Sequence, residues 1–533
     1  MRIAIRKYSY LFLACCLMSC SAHSLPERYK KIKQNTIYYI ANFVADIASV
    51  NSSSGNYTKA VNYYEYQKYL LETLLSQEND VYTNNIYLTD YRSSLTNLGY
   101  LYFKIGDYVH AKQYFLEVLE NKKDILGQEN PSYAIVLNNL ADLYSQMGDY
   151  EQAERYYLEA LGIIKKALGR NHLDYAAVLN NLAVHYFEIG NYVQAEKYYL
   201  EVLKTQKTLL GMYHPDYAIS LNNLGALYIK IGNFIQAEKY YLAALKIRGT
   251  TLGFNHVDYI TSLNSLGNYY SEIGNYNCAE KYFLEALKLT DTNNLNFSRA
   301  LSGLGVLYAK MGNYELAEKY LSETLKNRQT ALGINHLDYA NSLNNLASLY
   351  FTINNYIQAE KYYLIALEIR KSSLGINHPD YANSLNGLAN LYYDIGNHAQ
   401  AEKYYLESLE IRKSSLGINH PDYAHSLNDL GVYYFNLGDY LQAEKYHLNA
   451  LEIRKSSLGI NHPDYVASLN HLGVYYCETG NYKKACSYLT SSFSIQKQLF
   501  LSSIDHMTEC QRTEYWETKY RSSFDYAYPT FAY

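Results

Sequence analysis

A leucine opening a short segment of the LNNL kind recurs at Leu95, Leu137, Leu179, Leu221, Leu263, Leu301, Leu343, Leu385, Leu427 and Leu469. Eight of the nine intervals are 42 residues and one is 38. Inside each period the apolar residues fall three and four apart, as in Leu137, Leu140, Ala141 and Tyr144, which places them on one stripe of a helix. The stripe stops at GDY or GNY, where glycine can close a helix in the left-handed conformation. A second stripe follows, Ala153, Tyr157, Ala160, Leu161 and Ile164, and its alanines let two helices approach closely. Each unit therefore reads as two helices, for example 132–147 and 150–168. Such a pair cannot bury its stripes alone, so neighbours must stack. With a degenerate unit near Gly55, Tyr57 and Ala60, the pattern predicts an all-α solenoid of about eleven helix-turn-helix units.

The joint between units is the stretch IRKSSLGINHPDYA, at Ile369–Ala382 and again at Ile411–Ala424, with one change at Ile453–Val466. Histidine beside aspartate suits metal or acid–base chemistry, so two readings compete. Zinc needs several ligands at about 2.0–2.1 Å from one ion, whereas helices pack about 8–10 Å apart. His172, His214, His256, His336, His378, His420 and His462 therefore stand too far apart to share an ion, and one loop offers a single His and a single Asp. As a joint, every residue has a task. Gly375 caps the outgoing helix, His378 caps the incoming one, Pro379 takes its first position, and Asp380 meets the positive end of its dipole. The first unit's LGQENPSYA lacks both His and Asp, which a joint tolerates. No metal and no cofactor are expected. One joint, Thr290–Ala300, is four residues shorter and lacks Gly, His and Pro, which makes it either a kink or simply a short loop.

The segment LNNLADLYSQMGDYEQAERYYLEAL (Leu137–Leu161) resembles a tetratricopeptide repeat, with Leu, a small residue, Tyr, Gly, Ala and an aromatic at that family's spacings. The 42-residue period and the LG-x-x-H-P-D-x-A joint resemble the kinesin-light-chain type. The resemblance covers about Ser93–Phe493 and implies a right-handed superhelix whose first helices line a concave groove. It also implies that groove asparagines hold the backbone of a bound peptide. Here the first asparagine position is Asn138, Asn180, Asn222, Asn264, Asn344, Asn386, Asn428 and Asn470, and the second includes Asn345. Asparagine is a mediocre helix former, so the column needs a reason. Its amide both donates and accepts, and it serves either an extended peptide or a bond to the next unit. Seven residues on, the same face carries Phe187, Phe351, Tyr393 and Phe435, for peptide side chains or for packing between units.

Composition and charge narrow the partners. The 65 tyrosines and the regular apolar pattern argue against low-complexity disorder. Arg2, Arg6 and Lys7 precede an apolar run, Tyr10–Met18, that is too short to span a membrane. It ends in Leu17-Met18-Ser19-Cys20, which resembles the lipobox of bacterial lipoproteins and implies lipidation at Cys20; the alternative is a secretory cut near Ala22. Loss of residues 1–19 leaves 44 basic against 51 acidic side chains, a net charge of −7, which argues against a nucleic-acid partner. Five cysteines remain, too few for a disulfide framework; Cys477 and Cys486 are either bridged or both free.

The organisation expected is a signal over 1–19, a degenerate repeat and cap over 20–92, a tandem solenoid over 93–493, and a capping helix over 494–533. The stretch Leu501–Tyr528 also resembles the segment that precedes a caspase-like peptidase domain in some bacterial repeat proteins. The functional expectation is a non-catalytic scaffold for a peptide or protein, exported and held to the membrane by lipid only, with no small-molecule substrate. The alternative is a sensing arm for a separately encoded effector such as a caspase-like peptidase. Labelling with a fatty-acid analogue is expected to mark the protein and to fail in Cys20→Ser; equal labelling of both would remove the lipobox reading.

Overall fold

The structure is a computed structural model and describes residues 27–53, 57–77, 81–126, 129–290 and 295–504. The expected signal and Cys20, residues 291–294 of the short joint, and the segment from 505 with most of the expected cap lie outside the described residues. Among the described residues are 22 α-helices and no strand, paired as the periodicity predicts. The pair expected at 132–147 and 150–168 is found at Pro131–Gln146 and Tyr150–Leu168.

Two compact bodies divide the chain, residues 1–143 and 144–533. In the first, helices Glu27–Ser53 and Tyr57–Leu75 bury Ile37, Ala41 and Val44 with Leu70, Leu71 and Leu74. A full helix pair therefore stands where the sequence shows only a degenerate unit. Helices Val81–Ile105 and Tyr108–Leu126 form the next pair.

In the second body the first helices, such as Leu173–Glu188 and Pro379–Asp394, have 16 residues each. The joints are built as their sequence implies. His378 accepts the Asp380 N–H through Nδ1 at 3.0 Å, Pro379 opens the helix, and Gly375 ends the previous one at φ +85°. His172, His214, His256, His336, His420 and His462 cap in the same way.

Two further bonds fix the register of the stack. The arginines of the joints, Arg248, Arg328, Arg370, Arg412 and Arg454, are buried. Arg412 Nη1 donates to Ser426 Oγ at 2.5 Å and to the Asp422 carbonyl at 3.3 Å, and Arg454 treats Ser468 and Asp464 alike. A buried guanidinium stays charged, so it needs such partners. The tyrosine of each unit reaches back one unit: Tyr186, Tyr228, Tyr270, Tyr350, Tyr392 and Tyr434 donate to Glu154, Glu196, Glu238, Glu318, Glu360 and Glu402 at 2.5–2.6 Å. These are the glutamates of the AEK segments. They are half-buried or covered by a phenol in most units, while the lysines of the same segments are exposed. The same tyrosines stack within their own unit, as Tyr228 on Tyr240 at 5.5 Å.

After six helix pairs the second body meets itself. Nε2 of His378 donates to the Gln146 carbonyl at 2.9 Å, His420 to Glu188 at 3.0 Å, and His462 to Lys230 at 2.5 Å. Since Nδ1 already accepts the cap N–H, the proton of the neutral ring sits on Nε2, and one imidazole joins two helix ends. Glycine is required there twice over: Gly190 has φ +73°, and a Cβ would lie 2.7 Å from Pro421 Cδ. Gly438 has φ +81° but open space around it. Both Gly190→Ala and Gly438→Ala should meet the left-handed penalty of about 1–2 kcal/mol. Gly190→Ala should lose roughly 1–3 kcal/mol more from overpacking. Equal melting temperatures for the two variants would contradict contact between turns.

Candidate functional site

Successive first helices set the asparagine column on one face. Asn180, Asn222, Asn344 and Asn470 are half-buried, and Asn264, Asn386 and Asn428 are buried. Asn138 is half-buried in the part of its helix that belongs to the first body. Several of the amides bond along the column, first position to second position of the next unit. Asn180 Oδ1 accepts from Asn223 Nδ2 at 3.2 Å, Asn386 Nδ2 donates to Asp429 at 2.9 Å, and Asn428 Oδ1 accepts from His471 at 2.6 Å. Asn345 donates to Ser302 Oγ at 3.4 Å. Asn264 donates across the short joint to the Asn296 carbonyl at 3.2 Å, and Asn470 accepts from Ser492 at 2.6 Å. The Oδ1 atoms of Asn222, Asn264, Asn344 and Asn386 are buried with no hydrogen-bond partner. An unmet amide oxygen costs about 1–3 kcal/mol, which water or an incoming N–H would relieve.

The aromatic column is half-buried. Phe187, Phe351, Tyr393 and Phe435 each lie 5.6–6.2 Å from the ring opening their own second helix, namely Tyr192, Tyr356, His398 and Tyr440. Tyr393 and Phe435 also meet the next unit through Tyr433 and Tyr475.

Three of the clefts on this body are lined by described residues. One of about 390 Å³ gathers Phe435, Asn470, His471, Val474, Tyr475 and Leu489. Another, of about 510 Å³, borders the short joint and is polar and of mixed charge, with Asn264, Asn268, Glu272, Arg299, Lys310 and Arg328. The third, of about 560 Å³, lies between turns, with Ile229, Phe234, Asn268, His462, Asn470 and Gln496. Of the thirteen groove residues read from the sequence, Asn264, Asn470 and Phe435 line these clefts; the others do not. Leu489 and Gln496 come from the last helix, Tyr482–Ile504, outside the asparagine and aromatic columns read from the sequence. Cys477 and Cys486 are not joined by a disulfide.

The tetratricopeptide repeat pattern matches residues 90–166, 132–208, 174–249, 216–291, 296–372, 353–414, 385–440 and 422–498. The chain belongs to the tetratricopeptide repeat family. That fold is typical of protein–protein interaction scaffolds. Among solved structures, this tetratricopeptide repeat chain is similar to BtubC (BKLC) from P. vanneervenii, at 22% identity and a TM-score of 0.33, over 51% of this chain and 91% of that one. A kinesin light chain of Podosopora anserina with nearly identical TPR-like repeats gives 21% and 0.33, over 38% and 97%. A Rap protein complexed with Competence and Sporulation Factor gives 13% and 0.45, over 69% and 98%. No curated protein matches.

Two buried histidines of this tetratricopeptide repeat protein stand outside the joints. Burial lowers His185 to about 4, and burial, with His471 and Arg454 nearby, lowers His447 to about 3. Their folded-state values lie below the ordinary 6.5, so the unfolded chain binds more protons under acid conditions. Stability is complete above about pH 6.5 and falls as the pH drops toward 4, by roughly 3 kcal/mol at most for His185. Most other units carry Tyr or Phe at the position of His447 and Leu or Tyr at that of His185. The double variant His185→Leu with His447→Phe is expected to show a smaller loss of melting temperature between pH 7 and pH 4; an unchanged pH profile would show that other groups control it.

Proposed function

We propose that this protein is a non-catalytic scaffold that holds an extended peptide or protein segment against the face of its first helices. The observation that supports this reading most is the cleft at Phe435. Its walls are apolar, from Phe435, Val474, Tyr475 and Leu489, and its polar edge is Asn470 and His471. An apolar recess with a few placed polar groups receives one side chain of a bound segment while amides meet the backbone. The unmet oxygens of the asparagine column fit the same use, since a backbone N–H supplies the missing donor. The mixed-charge cleft beside Arg299 and Glu272 suits a segment with both signs of charge. Cys20, in its lipobox-like setting, would hold the scaffold at a membrane surface after export.

Selection of a random linear-peptide display library on the full chain tests the reading. Enriched peptides are expected to bind Phe435→Ala and Asn470→Ala about tenfold or more weakly, while the melting temperature of Phe435→Ala stays within a few degrees. Undiminished binding by both variants would place the site elsewhere.

A further inference from the structure

The contact between turns leaves matching surfaces uncovered at the two ends of the second body. Covered joints and uncovered joints have the same sequence logic but different exposure. His378, His420 and His462 are buried on the carbonyl ends of helices one turn earlier. The imidazoles of His172, His214 and His256 cap their helices identically, yet their side chains are 43%, 40% and 40% exposed. Beside them Tyr213 and Phe254 are 70% and 64% exposed, and Leu173 and Val257, at the position of Pro379, are also exposed.

The helix ends that receive such joints show the reciprocal contrast. At the ends of the first turn, a Cβ on Gly148, Gly190 or Gly232 would meet a joint histidine or proline within 3.4 Å. At the equivalent Gly396, Gly438 and Gly480 it would meet nothing within 4 Å. The apolar residues just before them are bare as well: Ile395 and Leu437 are 46% and 45% exposed, whereas Ile189 and Ile231 are half-buried.

We propose that a second copy of this chain docks head to tail. The uncovered joints at His172, His214 and His256 of one copy seat on the uncovered ends at 394–398, 436–440 and 478–482 of another, repeating the bond that the chain makes with itself. The donor is a neutral imidazole Nε2–H, the acceptor is the last carbonyl of a first helix, and apolar residues flank both. The two patches differ, so the interface is heterologous, and it continues as an open assembly unless the rotation closes a ring.

Sedimentation of the full chain over a range of concentrations tests this, with two variants carrying glutamate at exposed positions. Leu173→Glu with Val257→Glu alters only the joint edge, and Ile395→Glu with Leu437→Glu alters only the receiving edge. The unaltered protein should grow beyond dimer as concentration rises, and each variant alone should stay monomeric. An equimolar mixture of the two variants retains one good edge on each partner and should stop at the dimer. A wild-type chain that is monomeric throughout would overturn the proposal. So would a closed dimer that survives both sets of substitutions, since that would be a face-to-face contact.

Discussion

Every level of this architecture depends on satisfying helix ends. A helix begins with N–H groups and finishes with carbonyls that have no partner of their own, and a solenoid of short helices multiplies such ends. The joint meets both kinds with one residue. Nδ1 of His378, His420 or His462 takes an N–H from the helix it begins, and Nε2–H serves a carbonyl of a helix six pairs earlier. Serine or aspartate caps as well as histidine but cannot also donate at that reach. A polar loop that looks like chemistry is thus a structural bridge between turns.

The register between units is held by polar bonds as much as by apolar area. The phenol–carboxylate bond, repeated from Tyr186 with Glu154 to Tyr434 with Glu402, ties each first helix to the second helix before it. The buried arginine under five of the joints, as Arg412 on Ser426 and Asp422, locks the following connection. Charge-assisted bonds of this kind are directional. A stack of nearly identical units has many apolar ways to pack, and these bonds select one. The 15% aromatic content is therefore structural in large part, since most unit tyrosines are both bonded and stacked.

The face of first helices is itself a built part of the stack. Its asparagines bridge adjacent units, which keeps the face in shape, and several keep an oxygen unmet. Asn264 bonds to the Asn296 carbonyl between two first helices, and the polar cleft opens beside Asn264. A local change in period thereby makes a local difference on an otherwise repetitive surface.

The sequence by itself determined the helix pairs, their 42-residue spacing, the caps at Gly375, His378, Pro379 and Asp380, and membership in a repeat architecture. These are local matters: periodicity of three to four residues, turn conformation and capping act within one or two units. Tertiary structure decided what depends on the cumulative rotation of the stack. It brought His378 to Gln146, 232 residues away, set the AEK glutamates against phenols of the next unit, and joined Phe435 and Asn470 with Leu489 of the last helix. No single unit encodes how many repeats complete a turn, because that number sums small packing angles over six pairs. The same summation separates covered from uncovered joints, although both carry the same capping histidine followed two residues later by aspartate.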